Sequence, residues 1–147
     1  MKLFLLFTAA LVGYCSAHSL EEKDLIGITQ SAAVQGSLMC FGKPASNVVV
    51  KLYDEDTPDP DDLLEAGKTD SRGCYSLQGF TDEITTIDPK LNIYHDCNDG
   101  IKPCQRKFTL YIPKAYVSKG QIAKKIYNAG VLELSGKFPG ETRDCIH

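Results

Sequence analysis

The chain has 147 residues, 43% of them hydrophobic and 24% charged, with a formal net charge of −3 and six cysteines. That length and balance suit one globular domain with a real core, in which disulfides supplement packing rather than replace it. The modest acidity speaks against a nucleic-acid binder, and no apolar run reaches the ~20 residues that a membrane span needs.

Residues 1–17 read as a secretory signal peptide. Lys2 gives a basic start, residues 3–12 form a short apolar run, and Cys15-Ser16-Ala17 offers the small residues a signal peptidase requires. Cleavage after Ala17 removes Lys2 and Cys15, takes the net charge to −4 and leaves five cysteines: Cys40, Cys74, Cys97, Cys104 and Cys145. An odd count leaves one thiol free or paired between chains. No Asn-x-Ser/Thr sequon is present, so N-glycosylation is not expected.

Residues 18–31 are expected to be a polar N-terminal arm, and residues 32–147 the folded domain. Residues 32–40 predict a strand with Val34, Gly36, Leu38 and Cys40 on one face. Residues 46–53 predict the strongest strand, with Val48, Val50 and Leu52 opposed to Val49, Lys51 and Tyr53. The next twelve residues, DEDTPDPDDLLE, hold seven acidic side chains and no basic one. Converging carboxylates are what a hard cation such as calcium requires, but the glycine and spacing of an EF-hand are missing. The expectation is a solvated loop, with Asp61 capping a short turn over residues 62–66.

Ser71-Arg72-Gly73 marks a hairpin-type turn, residues 73–78 a strand, and Thr81-Asp82-Glu83 a loop. Residues 90–113 then read as a hairpin. Leu91, Ile93 and His95 alternate with Asn92, Tyr94 and Asp96, and Phe108, Leu110 and Ile112 with Lys107, Thr109 and Tyr111. Asn98-Asp99-Gly100 supplies the turn. Cys97 and Cys104 flank it and are expected to pair, with Cys40 bonded to Cys145 and Cys74, on the outward parity, left free. A Cys40–Cys74 bridge is the rival pairing. A last strand falls within residues 124–134, with Leu132 and Leu134 on one face, and residues 136–147 form a tail. Seven short strands spaced by turn residues, and no stretch of helical period, predict an all-β sandwich.

Several stretches resemble the nematode transthyretin-like family of small secreted proteins. These are Gly42-Lys43-Pro44 with Asn47 to Tyr53, the TDxxG turn at Thr69-Asp70-Ser71-Arg72-Gly73, Ile93-Tyr94-His95-Asp96-Cys97, Pro103-Cys104-Gln105-Arg106-Lys107, and the ending Arg143-Asp144-Cys145-Ile146-His147. The resemblance implies a transthyretin-like (prealbumin-type) β-sandwich of seven to eight strands, secretion to the extracellular space, and a binding or signalling role. Cysteines at positions 40, 97, 104 and 145 fit that family's pattern; Cys74 departs from it.

No catalytic set is expected. Hydroxyisourate hydrolase shares the sandwich, but this chain has three histidines and lacks that enzyme's Tyr-Arg-Gly-Ser tail. His95 and Asp96 are strand neighbours and point to opposite faces. No cofactor or metal is expected. Between Ile101 and Leu132 there is no acidic residue but seven basic ones: Lys102, Arg106, Lys107, Lys114, Lys119, Lys124 and Lys125. With Tyr111 they make a candidate face for a protein receptor or an anionic lipid or glycan surface. A carrier holding a small apolar ligand in an oligomer channel is the alternative. The oligomeric state stays open.

Overall fold

The computed structural model describes residues 27–147. The expected signal peptide and residues 18–26 of the expected arm lie outside the described residues. Among the described residues ten strands form two sheets: β1 (Ile28–Cys40), β2 (Lys43–Pro44), β3 (Val49–Asp54), β4 (Asp62–Lys68), β5 (Cys74–Glu83), β6 (Pro89–His95), β7 (Gln105–Tyr111), β8 (Ser118–Lys119), β9 (Tyr127–Glu133) and β10 (Thr142–Asp144). The all-β sandwich is as expected, with ten strands rather than seven to eight.

In the first sheet β1 pairs with β2, β5, β8 and β9; all are antiparallel to it except β9, which runs parallel. The second sheet has the order β10-β7-β6-β3-β4. Its centre is the predicted hairpin, in which Leu91 faces Leu110, Ile93 faces Phe108 and His95 faces Arg106. The period-two faces hold: Val34 and Leu38 from β1, Val50 and Leu52 from β3, Tyr75 and Leu77 from β5, and Leu91, Ile93 and Phe108 meet in one core.

The additional strands mark what a local pattern does not carry. β1 begins within the expected arm and β5 runs on to Glu83, because Ile28, Thr29 and Gln30 pair with Glu83, Asp82 and Thr81. The expected turn after Asp61 is instead β4, whose Asp62 to Lys68 lie along β3. The tail supplies β10, paired with β7.

The TDxxG motif builds a turn that docks on β1. The Thr69 hydroxyl accepts from Val48 N–H at 2.9 Å and donates to the Ala45 carbonyl at 2.6 Å. Asp70 Oδ1 accepts from the N–H groups of Arg72 and Cys74, both at 2.9 Å. Gly73 turns the chain with φ +77° and its carbonyl accepts from Leu38 N–H at 2.8 Å, a conformation that an L side chain would strain.

The cysteine pairing differs from the expectation. Cys40 bonds Cys97, and Cys104 bonds Cys145; Cys97–Cys104 and Cys40–Cys145 do not form. Cys97 continues the inward parity of Ile93 and His95, so it meets the end of β1 in the facing sheet. Cys145 extends the β10–β7 register in which Asp144 faces Gln105, and this sets it opposite Cys104. The bridges span 57 and 41 residues. In the chain-entropy model each restricts the unfolded chain by about 4 kcal/mol, against roughly 2–3 kcal/mol for the short ring first expected. Cys74 is the one free cysteine among the described residues.

Arg106 closes the same end of the sandwich. It sits on the inward parity of Phe108 and is 6% exposed. All five of its N–H donors are used. Nε and Nη2 donate to the two Glu141 oxygens at 3.0 and 2.7 Å. Nη1 donates to the carbonyls of Cys97 and Leu134 at 2.7 and 3.0 Å, and Nη2 to that of Gly136 at 2.5 Å. The guanidinium holds the Glu141 carboxyl below its usual range. Burial and then the Arg106 charge lower the pKa of His95, the facing residue, so its ring is kept neutral.

Three outcomes are expected. Peptide mapping without reduction yields the 40–97 and 104–145 bridges; a 97–104 peptide would refute this arrangement. Arg106→Ala, and Arg106→Lys nearly as much, lowers stability by about 3–5 kcal/mol, because it leaves Glu141 and three carbonyls buried without their donor; the denaturant midpoint reads it. Because the folded state lowers the pKa of His95, the unfolded chain takes the proton first as pH falls below ~6.5, and stability drops there. His95→Asn, which keeps an acceptor for the backbone but cannot titrate, flattens the midpoint between pH 7 and 5.5.

Candidate functional site

The basic residues of the expected face do not lie on one face. Arg106 is withdrawn altogether: a guanidinium with every donor engaged inside the fold cannot dock a partner. Its inward parity beside Phe108, with Glu141 in the tail, was the sequence signal for that role. Lys102 stands in the β6–β7 loop and lines a cleft with Lys137 and Arg143. Arg143 is itself committed to Asp99, with an Nη1–Oδ2 bond of 3.0 Å, and it holds that buried carboxyl below its ordinary pKa.

Lys107 and Tyr111 point outward from the second sheet. The register sets Val49, Tyr94 and Lys107 in one row across it and Tyr53, Lys90 and Tyr111 in another. Lys51 and Lys107 hold their ammonium groups 5.6 and 5.8 Å from the Tyr94 ring centre, and the His147 ring stacks on it at 4.1 Å. Lys107 also pairs with Asp144 at 3.6 Å, and Lys90 with Asp61 at 2.6 Å. This face is therefore largely self-satisfied.

The remaining lysines share the connection from β7 to β9. It makes one 3₁₀ turn, Lys114–Tyr116, then adds β8 to β1 beside Gln30 and Ser31. Beyond β8 it crosses to β5, where Gln78 Oε1 accepts from Ala123 N–H at 2.9 Å. Ser118 Oγ accepts from Lys124 N–H at 2.9 Å, and the Lys125 ammonium donates to the Ala115 carbonyl at 3.4 Å, so the connection is folded on itself. It presents Lys114, Lys119, Lys124 and Lys125, all exposed. Among the described residues only Lys114 has an acidic partner, Asp88 at 3.2 Å. Among the lysines stands Ile122, 75% exposed, and directly after them Ile126, 52% exposed; Ile84, 80% exposed, lines the cleft that Lys114 and Lys119 share. These isoleucines were missed at the sequence level, where an apolar residue in a loop reads as an unfinished strand.

The histidines in the described residues are not gathered for chemistry. His95 is 2% exposed, and its Nδ1 accepts from Cys97 N–H at 3.1 Å. It lies on the face opposite Asp96, which accepts from Gln105 Nε2 at 3.0 Å. His147 covers Tyr94. Cys74 lies beside Asp70 and Arg72 in a cleft between β1, β5 and β9.

The acidic stretch is more ordered than a solvated loop. Asp54 ends β3 and faces Asp62 across the ladder. With Asp56 and with Glu83, the last residue of β5, these place one carboxylate oxygen each within 4.8 Å of one another. Asp54 is buried, with Oδ1 accepting from Asp88 N–H at 2.8 Å. Burial first, then the neighbouring carboxylates, raise the pKa of Asp54 and Glu83 and push Asp56 up to about 6. Glu83 could not be foreseen here, because it reaches the loop only through the packing of the two sheets.

Comparison with known proteins agrees with this architecture. The model of the transthyretin-like family matches residues 35–113. Transthyretin-like protein 5 of Caenorhabditis elegans is 62% identical over 124 residues, spanning 84% of this chain and 89% of that protein. Transthyretin-like protein 33 of the same organism is 58% identical over 120 residues, 81% of this chain and 84% of its own. Transthyretin-like protein 2 is 50% identical over 144 residues, 94% of this chain and 97% of its own. The period-two sandwich, the TDxxG turn and the matched length lead to one conclusion: the chain belongs to the transthyretin-like family.

Proposed function

We infer that the protein is a secreted, non-enzymatic binding or adaptor module that docks an anionic partner through the connection between β7 and β9. The observation that carries this reading is the set Lys119, Lys124 and Lys125, which has no acidic partner among the described residues and is interleaved with exposed Ile122 and followed by exposed Ile126 on a connection braced by β1 and β5. Solvated lysines without carboxylate partners attract a polyanion at long range, and the isoleucines add apolar contact once it arrives. Two disulfides and the expected signal peptide support export, since such bonds persist in oxidising compartments. The partner is a surface bearing clustered negative charge, lipid headgroups or a sulfated glycan.

Lys119, Lys124 and Lys125, each changed to Glu, should abolish binding to vesicles containing an anionic phospholipid or to a sulfated-glycan column. Changing Lys102 and Lys137 to Glu should leave it intact. Wild-type binding should weaken as salt rises past about 0.15 M, where the Debye length falls to ~8 Å. A wild-type protein retained by neither surface at low salt, or a triple variant that binds like wild type, would overturn the docking assignment. N-terminal sequencing of protein released by expressing cells should begin at His18.

A further inference from the structure

The four carboxylates at the start of β6 ask for a counter-ion that the protein does not itself provide. Their neighbours do have one: Lys90 takes Asp61 at 2.6 Å and Glu55 at 3.5 Å, and Lys114 takes Asp88 at 3.2 Å. No lysine or arginine pairs with Asp54, Asp56, Asp62 or Glu83 among the described residues.

Asp54 supplies the second, independent observation. It is 1% exposed, and while Oδ1 is engaged by Asp88 N–H, Oδ2 is buried with no hydrogen-bond partner. An ionised oxygen taken out of water and left unpaired costs several kcal/mol, so such a group takes up a proton, pairs with a cationic side chain or binds a metal. The charged groups that act on this carboxylate, Asp62, Asp88 and Glu83, are all acids.

We propose that Asp54, Asp56, Asp62 and Glu83 form a binding site for a hard divalent cation of calcium size. The donor set is all oxygen and wholly carboxylate, which selects hard cations over zinc or copper. Four converging protein carboxylates suit calcium, which takes ~6–8 oxygen ligands, better than magnesium, which keeps several waters and is usually held by one or two carboxylates. One oxygen from each of the four residues lies within 4.8 Å of the others, close enough for one ion to touch all four. Bound there, the ion ties the β3–β4 loop of one sheet to the end of β5 in the other, where no disulfide reaches.

Calorimetric titration of the whole chain with calcium chloride, alongside a thermal melt, tests this. Saturable binding and a rise in Tm are expected with calcium, with magnesium at least 10-fold weaker. Asp62→Asn and Glu83→Gln, whose side chains are not part of the core, should each weaken calcium at least 10-fold while raising the calcium-free Tm by relieving repulsion. Asp61→Asn, at the lysine-paired neighbour, should bind as wild type does. No heat and no Tm shift in millimolar calcium would overturn the site, as would undiminished binding by both the Asp62 and Glu83 variants. Neither result bears on docking by the lysine connection, which shares no residue with this cluster.

Discussion

The five hydrogen bonds of Arg106 are the constraint around which this sandwich closes. A guanidinium is planar and offers a fixed fan of donors, so satisfying all five fixes the positions of the acceptors around it. Those acceptors come from the β6–β7 loop (Cys97), the chain leaving β9 (Leu134 and Gly136) and the residue before β10 (Glu141). Lysine would place one compact charge there and leave most of the carbonyls orphaned. His95, opposite on β6, completes the arrangement by staying neutral, since a second buried cation beside Arg106 would be unfavourable.

Both disulfides strengthen the end that Arg106 organises. Cys97 supplies a carbonyl to Arg106 and a sulfur to the bridge with Cys40, so one residue ties the loop to β7 and to the facing sheet. The Cys104–Cys145 bridge secures β10, a strand of three residues that its own ladder could not hold. Arg143 within β10 reaches back to Asp99 and to the Cys104 carbonyl at 3.2 Å. Short elements are thereby held by covalent and ionic ties where buried apolar area is small.

Much of this was legible in the sequence, and what was not has a common cause. Alternation assigned faces correctly for Leu91, Ile93, Phe108, Val50, Leu52, Tyr75 and Leu77, because strand geometry alone dictates which way successive side chains point. Pairing of cysteines was not legible, because it depends on β10 lying beside β7, and three residues leave no periodicity to read. β4 was hidden by its composition: Asp62, Gly67 and Lys68 suit a turn, and only the β3 edge makes them a strand. The basic run from Lys102 to Lys125 looked like one surface because neighbours in sequence were treated as neighbours in space. The fold divides it among a buried network, a sheet face, a cleft and one connection.

That division gives the molecule two unlike ends. β6 runs from Pro89, which faces Asp54, to His95, which faces Arg106, and its seven residues span about 20 Å. At its far end charge is buried, matched and backed by disulfides. At its near end acids outnumber the lysines that reach them, and the Asp54 carboxylate is buried without a cation. A chain that satisfies each donor of one arginine so fully has no general need to tolerate an unpaired buried acid 20 Å away. The asymmetry is one of charge: the far end matches its buried guanidinium within the protein, and the near end leaves a buried carboxylate to be matched by something that binds.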